Sequence, residues 1–176
     1  MKKHILIVGL VLGALMLATA LVAATRASAT PGDPGQALKS VASRYNAFEQ
    51  AAKAGYSIEG EPCVASPAGA MGIHAINRAL VEDPAIDPLE PEILLYLPKP
   101  NGELELVAVE YMRIAADQNP ADGFDQSDKP ALFDQAFDGI MPAHAPWMGW
   151  HYDLHVWLWE DNPSGLLAPF NPALSC

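Results

Sequence analysis

His151 to Trp159 holds two histidines, an aspartate and two tryptophans at alternate positions. Its aromatic and β-branched content marks a strand. Alternation puts Tyr152, Leu154, Val156 and Leu158 on one face and His151, Asp153, His155, Trp157 and Trp159 on the other. The first is an ordinary core face. The second is too aromatic for open solvent and too polar for a simple core. It suits the wall of a partly wet cavity. It also suits a small second core whose histidines are satisfied by hydrogen bonds.

A second strand, Leu104 to Met112, poses a sharper problem. Strict alternation groups Glu110 with Leu104, Leu106, Ala108 and Met112, all apolar. A carboxylate there costs several kcal/mol unless it is protonated, paired or bound to a cation. Arg113, Arg78 or a backbone turn could pair with it, and so could a metal.

Spacing limits how these residues combine. Positions i and i+4 of a strand are about 13 Å apart, so His151 and His155 cannot easily share one ion, whereas i and i+2 are ~6.6 Å apart and can converge. A centre would therefore use His155, with His74 and Glu110 as donors from other strands. Two histidines and a carboxylate form a set that binds zinc or non-haem iron. The expected metal ligands are His74, Glu110 and His155, with His151, Asp153 and Trp157 as the ligand-binding wall. Were the segment a helix, His151 and His155 would share a face, but Tyr152 stands where a zinc-binding helix needs Glu. His144, between Pro142 and Pro146, falls on a loop and is a lid residue at most. The chain has neither a Gly-rich phosphate loop nor a Gly-x-Ser-x-Gly elbow.

The elements that must position these residues can be read in turn. Gln36 to Ala54 has apolar residues at helical spacing and Gly55 as a stop. Met71 to Asn77, Glu92 to Leu97, Glu103 to Arg113 and His151 to Glu160 read as strands. Asn101-Gly102 joins the middle two as a hairpin. Ala115 to Trp150 is a long Pro- and Asp-bearing segment of the kind that forms lids or hides short elements, with Pro130 to Phe137 a candidate helix. The expected fold is α+β: an N-terminal helix packed on an antiparallel sheet that curls toward a barrel.

The chain's 176 residues suit one domain. Ten Lys and Arg against 21 Asp and Glu give a net charge of −11. That excludes a basic footprint on nucleic acid and a polybasic membrane surface. All 16 Pro lie beyond residue 29, which argues against a helix bundle. Lys2 and Lys3, the apolar run Ile5 to Ala24, and Ala27-Ser28-Ala29 fit an export signal over 1–29 cleaved before Thr30. A retained anchor is the alternative, since the run is long enough to span a bilayer. Residues 30–35 then form a tail and 36–176 a single domain. Cys63 and Cys176 are the only cysteines, and in an oxidising compartment they read as a disulfide rather than as a nucleophile.

From Met71-Gly72-Ile73-His74 onward the chain resembles a family of small exported bacterial proteins of uncharacterised function. The resemblance rests on Pro91 to Tyr96, on Leu106 to Tyr111, on Asp153 to Trp159, on Asn162-Pro163-Ser164-Gly165, and on Asn171-Pro172 with the terminal Ser175-Cys176. Phe170 stands where the pattern has Trp. It covers residues 63–176 and implies export and a single domain. Three functions remain open: an exported protein that binds a small molecule or a metal, a metal-dependent hydrolase or oxygenase using the same site, and a structural or surface interaction protein with a polar core.

Overall fold

A computed structural model describes residues 34–60 and 62–176. The expected export signal, and all of the expected tail except residues 34 and 35, lie outside the described residues. Helix α1 (Pro34–Ala42) runs into a single 3-10 turn (Ser43–Tyr45), and α2 (Phe48–Lys53) follows. The one long helix expected over Gln36 to Ala54 is thus broken. Ala47 adopts an extended conformation (φ −92°, ψ 116°), and the Ser43 hydroxyl bonds back to the Lys39 carbonyl just before the break.

The strands are β1 (Ser57–Ile58), β2 (Val64–Ser66), β3 (Gly69–Ile76), β4 (Ile93–Pro98), β5 (Leu104–Ile114), β6 (Ala131–Leu132), β7 (Gln135–Ala136), β8 (Asp138–Met141) and β9 (His151–Trp157). A short helix, α3 (Arg78–Glu82), follows β3. The main sheet is antiparallel, in the order β1-β3-β4-β5-β9-β8, with β2 also on β3. Among the described residues no pairing joins β8 to β1 or β2, so the sheet is open and the expected curl toward a barrel is corrected. The α+β class holds.

Both faces of the sheet are covered, which is why β4 reads as an unbroken apolar run. On one face Leu38, Ala42, Tyr45 and Ala51 pack against Leu94, Tyr96, Val109, Tyr111, Leu154 and Val156. On the other face Ile76, Ile93, Leu95, Ala108, Met112 and Trp157 form a second core, covered by Val81 and Met148. Each fully buried aliphatic or aromatic side chain contributes about 1.5–3 kcal/mol to this packing.

A bulge in β5 sets what each face carries. Leu95 pairs with Ala108 but Tyr96 pairs with Leu106, which leaves Val107 as an extra residue. Leu104 and Leu106 therefore join the helix-side core, while Val107 joins the second. The strict alternation that grouped Leu104 and Leu106 with Glu110 stops at this point.

Asn101-Gly102 does turn the β4–β5 hairpin, with the Gly102 N–H bonded to the Lys99 carbonyl and Gly102 at φ +84°. The segment expected as a helix over Pro130 to Phe137 is instead the β6–β7 hairpin. Phe133 and Asp134 sit at φ 54° and 60°, which a helix does not allow and a tight hairpin turn requires. The ends of the long 115–150 segment are stapled by Gln118. Its side chain donates to the carbonyls of Ala115 and Trp150 and accepts from the Trp150 N–H.

Cys63 and Cys176 form the expected disulfide, with Cα atoms 5.6 Å apart and a sequence separation of 113. Constraining a loop of that length in the unfolded chain stabilises the fold by about 4–5 kcal/mol in the chain-entropy account. The same C-terminal segment is anchored a second time where Asn171 bridges Ala70. Gly69 permits that approach, because a Cβ there would lie 2.2 Å from the Asn171 carbonyl oxygen.

Candidate metal centre

The centre follows from strand register. Glu110 on β5 is directly opposite His155 on β9, and Ile93 of β4 is opposite Glu110 on its other side. His74 lies on β3, two strands from β5 and out of line with Glu110, since its β4 partner is Leu95. At ~4.7–4.9 Å per strand, only side chains as long as imidazole and glutamate close that gap. They do: His74 Nε2 is 3.2 Å from Glu110 Oε2, and His155 Nε2 is 3.6 Å from the same oxygen. One ligand atom from each of the three residues lies within 4.8 Å of the others. The three expected metal ligands are thus brought together in space.

All three are buried, with Glu110 only 3 % exposed and His155 fully covered. Among the described residues no arginine neutralises the carboxylate. Arg78 pairs with Glu59 at 3.2 Å and lies over the Trp147 ring, and Arg113 donates to the Pro84 carbonyl. Burial alone would raise the Glu110 pKa, but the imidazoles of His155 and His74 outweigh it and hold the group well below the ordinary carboxylate range. Burial pushes His155 down, against the pull of Glu110. A metal ion requires the carboxylate ionised and the imidazoles neutral, and would supply the positive charge that the histidines otherwise supply to Glu110.

Asp153 extends the centre. Its Oδ1 is 3.9 Å from His155 Nδ1. Burial first, then the nearby charges of Glu110 and Asp138, push its pKa up to about 8. The Asp153 Oδ1, both ring nitrogens of His155 and Nε2 of His151 make no hydrogen bond among the described residues. A buried polar atom left without a partner costs about 1–3 kcal/mol. Such atoms at alternate residues of one strand fit a place where a ligand or cation completes the bonding.

A cavity of about 510 Å³ opens onto this floor. His74, Glu110 and Asp153 line it, apolar side chains such as Val64, Ile76 and Ile93 wall it, and His144 stands among the lining residues. His144 is exposed, as expected of its loop, and its ring lies 5.2 Å from that of His151. His155 is not a lining residue and sits behind the floor.

A scan against family models, a search of curated proteins and a search of solved structures each returned no match.

The ligand-binding wall expected from β9 divides. Asp153 lines the cavity. Trp157 does not: its indole N–H donates to the Ala168 carbonyl at 2.6 Å, and its ring belongs to the second core. His151 is fully buried, with Nδ1 3.0 Å from the Gly149 carbonyl, and also lies outside the lining. Alternation assigns all three to one face but does not say how far along that face the cavity extends. Glu92, only 1 % exposed, is a chemical group that the sequence pattern hides, because it stands at the head of a strand behind Pro91. Its Oε2 accepts the Met112 N–H, and burial raises its pKa to about 8.

Proposed function

We propose that the protein is an exported metal-binding protein whose centre is His74, Glu110 and His155, with Asp153 beside it on the cavity lining. The observation that carries this reading is the register of β5 on β9. It sets a carboxylate with no arginine partner among the described residues directly against a buried histidine, with a second imidazole 3.2 Å away. Two histidines and a carboxylate supply the donor set for zinc or iron and leave further coordination positions for another ligand. Carboxylate–histidine–metal arrangements fix the ring that holds an ion, and Asp153, whose Oδ1 is 3.9 Å from His155 Nδ1, is the carboxylate placed to close onto that ring when an ion binds. The disulfide supports an oxidising compartment. Among the described residues no helix is long and apolar enough to cross a membrane.

A second reading, a metal-dependent hydrolase or oxygenase, is favoured by one feature. The cavity reaches His74 and Glu110, so a small molecule entering it would meet the bound ion. Elemental analysis of purified protein, together with Glu110→Gln, tests both. About one equivalent of a transition metal, lost in Glu110→Gln while the circular dichroism stays unchanged, is the expected outcome. A metal-free protein that neither binds added metal nor loses anything but stability on Glu110→Gln would leave a structural or interaction domain.

A further inference from the structure

Every methionine among the described residues lines the one cavity above the centre. Met71 comes from β3, Met112 from β5, Met141 from the end of β8 and Met148 from the loop before β9. Met112 is two positions from Glu110 on the same face, ~6.6 Å along the strand, and its β9 partner is Asp153. Met141 is paired with His151. The helix-side core holds no methionine among the described residues.

Filling space does not account for this distribution. Burying a methionine loses up to ~2 kcal/mol of side-chain entropy, about twice the loss for leucine or isoleucine, and among the described residues the helix-side core is filled without any. What methionine adds is a soft, polarisable thioether. Among first-row metals, thioether donors select copper, above all the cuprous ion, and imidazole suits copper as well. The divalent series also puts copper above zinc and iron on a nitrogen and oxygen set.

We propose that the metal taken up at this centre is copper, with thioethers of the cavity wall joining the histidines to hold the cuprous ion. This rests on the metal-binding reading above and narrows it. The four methionines come from four separate segments, so the site exists only in the folded chain. Met112 and Met148 are buried, whereas Met71 and Met141 are half-buried, which orders them from the inner wall outward.

The test uses the purified protein with its disulfide intact. Cu(I) is titrated without oxygen against a chromogenic Cu(I) chelator, and Zn(II) against its own chelator. The wild type should bind one equivalent of Cu(I), and excess Zn(II) should not displace it. Met112→Leu and Met141→Leu conserve volume and should fold, since such exchanges cost under ~1.5 kcal/mol. Each should weaken Cu(I) binding ~10-fold or more, the scale on which even indirect partners of a metal count, and leave Zn(II) affinity unchanged. X-ray absorption of the Cu(I) form should show sulfur neighbours that decrease in the variants. Zn(II) that displaces Cu(I), or leucine variants that hold Cu(I) as tightly as the wild type, would overturn copper and leave the metal centre standing. Failure of a correctly folded wild type to bind either ion would overturn the metal centre itself.

Discussion

The two faces of the sheet treat buried polar groups in opposite ways. On the helix side, tyrosines are sunk into the core, and the hydroxyls of four of them are used. Tyr96 donates to the Tyr45 carbonyl, Tyr56 to the Pro91 carbonyl, Tyr111 to the Pro88 carbonyl and Tyr152 to Asp128. Desolvation raises the pKa of all four, so they stay neutral donors. On the cavity side, Asp153 and His155 are also buried, and the Asp153 Oδ1 and both His155 ring nitrogens lack hydrogen bonds among the described residues. The chain can satisfy interior polar groups, as it does on one face of the same strands. The unsatisfied set on the other face is what the proposed metal centre would complete.

The largest effect should come from the tie that holds the C-terminal segment over the cavity side. Cys63→Ser with Cys176→Ser removes the crosslink and should cost about 4–5 kcal/mol, read as a lower denaturant midpoint. Phe170 lines the cavity and Leu174 packs on the second core, so hydrogen exchange should rise first on that face. Equal loosening of both faces would weaken the contrast.

A core deletion on the helix side sharpens it. Leu94 is fully buried there, and Leu94→Ala should cost about 2–5 kcal/mol by thermal or chemical unfolding while metal affinity stays the same. On the cavity side, Glu110→Gln should do the reverse. Metal-free stability should fall only by what the ionised carboxylate gains from the two imidazoles beside it. The added stability on metal saturation, about 2.7 kcal/mol at a hundredfold excess over Kd, should vanish. A Glu110→Gln protein that still gains stability from metal would remove Glu110 from the centre.

The same contrast separates what is legible in the sequence from what is not. The composition of β9 and the isolation of Glu110 are legible, because a lone acid among apolar neighbours and a mixed His/Trp face contradict ordinary alternation. The hairpin at Asn101-Gly102 is legible from an equally local signal. The bulge at Val107 is not, since it inserts one apolar residue among others and leaves no mark on the pattern. The β6–β7 hairpin escapes the sequence because its turn is built on Phe133 and Asp134 rather than on glycine. The convergence of His74 on Glu110 depends on the β3–β4–β5 register, which no local signal specifies.

Glu92 offers a pH test at the border between the faces. Its pKa is raised from 4.5 to about 8 in the folded protein, mainly by burial. Between those values the folded state keeps a proton that the unfolded chain has released. Stability should therefore fall as pH rises through that window, by at most about 1.4 kcal/mol per pH unit for this one group. Glu92→Gln keeps a carbonyl for the Met112 N–H and should flatten that part of the profile in pH-dependent unfolding. An unchanged slope would show that Glu92 titrates normally. The smallest effect is expected from Tyr96→Phe. It leaves the Tyr45 carbonyl without its donor and should cost about 1 kcal/mol, with no change at the metal centre.

The position of β9 has a consequence for how the molecule is made. The last strand in sequence is not an edge strand but is inserted between β5 and β8. During synthesis β5 waits with one side unpaired until residues beyond 150 emerge, and Glu110 waits with it. For that interval the nascent sheet exposes an unpaired edge over residues 108–114 of β5, the kind that pairs with other chains. The pairing that removes this edge is the same pairing that sets His155 against Glu110. The proposed metal centre and protection from aggregation are thus completed in one late, long-range step. Chains stopped before His151 should accumulate as aggregates rather than as a folded apo form.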